Sequence, residues 1–512
     1  MPLHRTVRRS RLAGLLLCLQ AACGADAGPG GGAQGTVQRL DWDKFVARGA
    51  QAGANHFEVL EPNVLIDALL ADLGRVTGLR QKAPVPMVEL ASFEGSEQIQ
   101  ALVAAEAAMP ELQHLSANAA AALAALGLDE VLSLGDDEPE SLPSEDDDAA
   151  EPFAGDVIGL YDTMDKVFFV LADAPAKERA QVMRHELMHA LQDQHFDLHG
   201  QLWQRLGDFD ALMAFRAMVE GQAEVAALRA EQARAHHLTL MPSLRPRAGH
   251  VRGLASGRAR APSARRRPAR LGSLGLEAWP AVAAQVDGYP PYEVEDGLDF
   301  TYFPYVAGAQ FFHQLMLAGT FHGLTFADWV QETFAHPPQG TRHVLHPYEY
   351  LLERRQAPRP PLRLRSFESV ADHPLRWQSP LGELVANAYL SGHGAEAPRA
   401  HQLMRDRVAV LEQPSSTLPV VAWLTEWQDG ATAAAFARQA KAIQEDLSKR
   451  RRLRGITPGY TFVSTHECRV GMLMEVARDS GHPRAEAEHQ HDLARALERA
   501  LTDDGATSAS SL

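Results

Sequence analysis

The residues best equipped for chemistry stand in RHELMHALQDQHFDL, which begins at Arg184. His185 and His189 are four apart with Glu186 between them, an H-E-x-x-H array. On an α-helix, positions i and i+4 project from one face about 6 Å apart. Two imidazoles so placed can converge on one ion at roughly 2.0–2.1 Å from each nitrogen. Glu186 lies about 100° around the helix from His185, within reach of a water activated by that ion but not itself a ligand. A shuffled chain of this composition would show the spacing roughly one time in fifteen. The surroundings must therefore decide.

A metal ion used in catalysis wants three protein ligands and one open position. The chain holds only Cys18, Cys23 and Cys468. No thiolate site or disulfide framework can be built from these, so any metal must rest on His and carboxylate. The segment VEGQAEVA carries Glu220 and Glu224 at i and i+4. One of them can bind the metal while the other hydrogen-bonds a ligand imidazole. Gly221 and Ala223 are small enough to let this helix approach the histidine helix closely. Glutamate usually marks a solvated helix face, but an otherwise apolar helix soon after H-E-x-x-H favours the ligand role.

These side chains need elements to hold them. VIGLYDTMDKVFFVLAD reads as two short β segments around a turn at Asp162 to Asp165, ending in the strand KVFFVL. Asp173 and Pro175 then supply helix-start signals, and apolar residues recur at Ala180, Met183, Leu187, Met188 and Leu191. The spacing thus predicts a helix carrying His185, Glu186 and His189 directly after a strand. A second helix is predicted from about Phe209 to Ala235. Upstream, Trp42 to Leu134 is mainly helical, with PVPMVEL a short strand or an extended link. Beyond Trp279 the pattern is mixed and mostly helical to about Ala500. The expected fold class is α+β, predominantly helical. The expected division is 39–240 for the N-terminal and catalytic-helix region, 241–275 for an Arg-rich insert and 276–505 for a mainly helical C-terminal part.

The formal charge of −16 on 512 residues argues against nucleic acid or anionic membranes as general partners. Nine acidic residues between Asp136 and Glu151, and nine arginines between Arg245 and Arg270, sit in segments without apolar periodicity and read as solvated loops. At the N-terminus, basic MPLHRTVRRSR precedes the apolar LAGLLLCLQAAC. That run is too short to span a bilayer but suits a signal peptide at 1–22. Residues 23–38 then form a Gly-rich tether. Ala21-Ala22-Cys23 is similar to a lipobox and makes Cys23 the expected lipid anchor; Gln20 departs from the usual Leu, and ordinary cleavage near Ala25 or Ala27 is the rival. Either route expects an exported protein, lipid-anchored in the cell envelope or secreted. Cys468 is expected to be a small packed residue.

Taken together, H-E-x-x-H on one helix and glutamate on the next resemble the gluzincin type of zinc metallopeptidase. More narrowly, HELMHALQDQHFDL is similar to a set of bacterial and archaeal proteins with A-L-Q-D-Q and F-L after H-E-x-x-H. GLYDTMDKVFFV, VEGQA, YFPYVAGAQFF and GTRHVLHPYEYL resemble further segments of that set, so the likeness spans roughly Gly74 to Ala440 with unmatched gaps such as the Arg-rich insert. It implies a zincin-like core, Zn2+ held by His185, His189 and Glu220, and Glu186 as the base that activates the attacking water. Glu224 would support His185, although an Asp is common at that position. A peptide or protein substrate is implied. Tyr305, His343 and His346 are candidate oxyanion donors, with Tyr305 preferred, and His195 and Asp197 would shape the exit from the active helix. The alternative is a catalytically silent zinc-binding or scaffold lipoprotein; the intact Glu186 argues for the enzyme.

Overall fold

Ala, Leu and Met fill the segment after Phe209, and the helix they form is apolar almost all round. It is accordingly buried at the centre of the main core. The computed structural model describes residues 64–90, 99, 109–128, 159–172, 176–240, 303–322, 324–357, 362, 374–391, 400–412, 419–453, 460–475 and 483–503. The expected leader (1–22), tether (23–38), acidic run (136–151) and Arg-rich insert (241–275) lie outside these residues. Among the described residues the fold is mixed α+β and 64% helical, as the sequence predicts. No described helix is long and apolar enough to cross a membrane.

The chain order begins with α1 (Val64–Thr77), β1 (Met87–Leu90) and α2 (Pro110–Ala125). The predicted hairpin follows as β2 (Gly159–Asp162) and β3 (Val167–Leu171), with Tyr161 opposite Phe168. Asp162 shapes its turn by accepting the N–H groups of Met164 (2.8 Å) and Asp165 (3.2 Å). Lys166 completes the turn in the left-handed region, φ 60°. PVPMVEL does contain a strand: β1 pairs parallel with β3, giving the order β1-β3-β2 and leaving β2 at an edge.

Helix α3 (Ala176–Phe196) lies against β2 and β3, and a short α4 (Leu198–Trp203) follows it. Asp197 makes the corner at φ 54° and accepts from Gly200 N–H, while His195 Nε2 bonds the Arg80 carbonyl at 2.7 Å. Both residues thus shape the helix exit. The central helix α5 (Phe209–Leu240) packs on α1, α3 and α6 (Phe303–His322). Gly221 differs from expectation. It meets Gly308 of α6 rather than α3, and a Cβ at either glycine would collide with the backbone of the other helix.

After α7 (Phe326–Ala335), α8 (Thr341–Leu345) and α9 (Pro347–Glu353), the chain enters a five-stranded antiparallel sheet. Its strands are β4 (Leu375–Ser379), β5 (Leu403–Leu411), β6 (Val420–Trp427), β7 (Thr461–His466) and β8 (Arg469–Glu475), in the order β4-β5-β6-β8-β7. Helices α10 (Gly382–Ser391), α11 (Gly430–Leu453) and α12 (Pro483–Asp503) cover it. Val408, Val410, Val421, Trp423, Met472 and Met474 belong to the main core, whereas Ala409, Leu411, Ala422, Leu424 and Leu473 join α12. Both faces of the central strands β5, β6 and β8 are therefore covered. The mostly helical reading beyond Trp279 did not anticipate this sheet. Cys468 sits half-buried in the β7–β8 turn rather than packed in the core.

Candidate metal centre

Helix α3 turns His185 and His189 to one face, and α5 brings Glu220 against it. His185 Nε2 and His189 Nε2 are 3.1 Å apart; Glu220 Oε2 lies 3.0 Å from the first and 3.2 Å from the second. All three side chains are buried. A tetrahedral ion bound at roughly 2.0–2.1 Å needs ligand atoms about 3.3 Å apart. The triangle has nearly that size, and the three residues can hold a metal ion. Among the described residues they are the one such group of His, Cys, Asp and Glu.

The charges agree with the geometry. Burial pulls the His185 imidazole down, but the hydrogen bond to Glu220, the Glu224 carboxylate at 3.4 Å and the nearby Glu186 charge outweigh it, and the group is held up at about 9. His189 is raised against its own burial by Glu220. Burial pushes Glu220 up, and the two imidazoles overcome that and hold it far below the usual carboxylate range. Two imidazoles and a carboxylate collected in one buried cluster attract cations, either protons or a metal. Glu224 Oε2 faces His185 Nδ1 at 3.4 Å, on the opposite edge of the ring from Glu220.

Glu186 makes no hydrogen bond to the triangle. Its Oε2 accepts the backbone N–H of Tyr161 at 2.9 Å, tying the residue to β2. Burial raises its pKa, while the charges of His185 and His189 oppose the shift. A carboxylate less acidic than usual, beside a cation site, can exchange a proton with water.

Tyr305 comes to the site from α6, its ring centroid 5.9 Å from that of His185. His343 and His346 are engaged elsewhere: His343 Nε2 faces Glu353 at 3.3 Å and His346 Nε2 faces Glu383 at 2.7 Å. Their acid partners, not the triangle, account for them.

Three contributors escaped the sequence reading. Tyr161 acts through its main chain, which carries no side-chain signal. Gln192 accepts at His189 Nδ1 at 2.8 Å, and Gln222 bonds Gln192 at 2.8 Å. The signal that could have found Gln192 is its place three residues after His189, on the same helix face.

No family model, curated protein or solved structure matches this chain.

Proposed function

We propose that this protein is a zinc-dependent peptide-bond hydrolase with a zincin-like core, made of α3, α5 and the small sheet before α3. The observation that carries the reading is the buried His185, His189 and Glu220 triangle with Glu186 one residue along α3. Two neutral imidazoles and one carboxylate suit zinc ahead of cobalt, manganese or iron. When bound, zinc supplies a Lewis acid that acidifies water and polarises a carbonyl.

The chain's own residues do the rest. Glu186 takes the proton from the attacking water and passes it to the leaving amine. The Tyr161 N–H holds one carboxylate oxygen and so fixes the direction in which Glu186 works. Tyr305, whose ring lies 5.9 Å from that of His185, would donate to the developing oxyanion. The substrate class is peptide or protein, and the leader expected at 1–22 supports work at the cell envelope or outside it.

Metal analysis and a peptide-library assay on the purified protein test this together. We expect about one zinc per chain, lost in Glu220→Ala. Glu186→Gln should keep the zinc and lose about 10²- to 10⁴-fold in hydrolysis. Protein that stays metal-free after zinc-replete preparation would remove the reading. Zinc retained with no hydrolysis of any peptide would leave a silent zinc-binding protein.

A further inference from the structure

The A-L-Q-D-Q run after His189 has no part in the proton transfers, yet its three polar residues reach in three directions. Asp193 accepts from the Tyr161 hydroxyl (2.9 Å), Lys166 Nζ (2.8 Å) and Leu198 N–H (3.0 Å), joining α3 to β2 and α4. Gln194 accepts from Lys82 N–H (2.7 Å) and donates to the Ala83 carbonyl (2.8 Å), holding the segment that leads into β1. Gln192 alone turns towards the metal centre.

We propose that Gln192 is a positioning residue that fixes His189 in its Nδ1–H tautomer and so presents the Nε2 lone pair to the metal. This rests on the zinc reading above. The hydrogen-bond polarity is forced from the far end. Gln192 Nε2 lies 3.0 Å from the Val219 carbonyl, a group that can only accept. The amide nitrogen must therefore face α5, and the amide oxygen must face His189 Nδ1 at 2.8 Å. An oxygen there can only accept, so Nδ1 carries the proton.

The second Gln192 N–H goes to Gln222 Oε1 at 2.8 Å, and Gln222 Nε2 continues to Thr333 Oγ1 at 3.4 Å. Thr333 in turn donates to the Trp329 carbonyl at 2.9 Å. Gln192, Gln222 and Thr333 are each 0% exposed, so water does not compete for these bonds. Every donor along the line points away from His189 Nε2. Val219 also directly precedes Glu220, so one amide braces the histidine ligand against the backbone of the carboxylate ligand.

The two imidazoles are thereby backed differently. His185 has the Glu224 carboxylate at 3.4 Å, and His189 has a neutral amide. A second carboxylate behind His189 would face two acceptors, Val219 O and Gln222 Oε1, and would add a further buried negative charge.

The test uses the full chain with 15N-labelled histidine. In the zinc-loaded protein, His189 should show a slowly exchanging Nδ1–H and a metal-bound Nε2. Gln192→Met should lose the slow exchange of that Nδ1–H, its acceptor being gone, and bind zinc about 10- to 100-fold more weakly in chelator competition. In Gln192→Glu the acid stays neutral by donating to the Val219 carbonyl, so an acceptor remains at His189 Nδ1 and the signature should be retained. A His189 that carries its proton on Nε2 in the parent would overturn the proposal, as would Gln192→Met matching the parent in both affinity and ring signals. If Gln192→Met does not fold, the parent's ring signals decide alone. A parent that binds no zinc defeats the zinc reading instead. Its His189 tautomer, read at alkaline pH, still tests Gln192.

Discussion

Tyr161 is held by α3 at both ends: its N–H donates to Glu186 and its hydroxyl donates to Asp193, each at 2.9 Å. Glu186 and Asp193 are two turns apart on the helix, so strand β2 lies along α3 in one register. Removing only the hydroxyl, in Tyr161→Phe, leaves Asp193 with Lys166 and Leu198 but deletes a buried hydrogen bond to a carboxylate. We expect a loss of about 1.5–3 kcal/mol in denaturant unfolding, with zinc content unchanged.

Gly221 and Gly308 make the closest approach of α5 and α6. A methyl group in Gly221→Ala has backbone, not a yielding side chain, in its way. Overpacking of this kind costs about 1–3 kcal/mol or more. Because α6 carries Tyr305 and α5 carries Glu220, the separation of those two residues should change as well. The denaturation midpoint measures the first effect, and hydrolysis at unchanged zinc content measures the second.

Asp210 anchors the start of α5 by accepting both the N–H (2.8 Å) and the hydroxyl (2.6 Å) of Thr341. Burial pushes its carboxyl up to about 8, against those two bonds. The unfolded carboxyl titrates at about 3.9. Between those values the folded state holds a proton that the unfolded chain has lost, so stability falls as pH rises from about 4 towards 8. Asp210→Asn keeps an acceptor for Thr341 and removes the titration. Urea midpoints at pH 5 and pH 8 should converge in the variant relative to the parent. Asp406, held up at about 6 by burial, leaves part of the slope in place.

His185 is held up at about 9 by Glu220 and Glu224 against its burial, so at pH 7 a proton competes with metal for the same nitrogen. That competition weakens binding roughly 100-fold at pH 7 relative to the deprotonated site. Affinity should therefore climb with pH until it levels off near pH 9. Calorimetric titration of chelator-stripped protein in buffers of different ionisation enthalpy should report one to two protons released per zinc. Heats that do not depend on the buffer would contradict the charge assignment.

What could be read in advance was local. The hairpin around Asp162 to Asp165 came from turn residues between β-branched and aromatic runs. The helices carrying His185, His189 and Glu220 came from three- and four-residue spacing. The five-stranded sheet was not legible because its central strands are buried on both faces. VVAWLTEW and RVGMLME then lose the alternation that marks a strand and read as continuous apolar runs.

Which residues could meet a metal was readable along one helix, because i to i+4 geometry needs no partner. That such a site would rest on His and carboxylate was equally plain, because thiols are missing from the region. Three relationships came from packing alone: Glu220 Oε2 stands 3.0 Å from His185 Nε2, Gly221 serves α6 rather than α3, and Gln192 faces Val219. Each of these depends on how two helices cross. Crossing is set by close packing of side chains far apart in the chain, and no local periodicity encodes it.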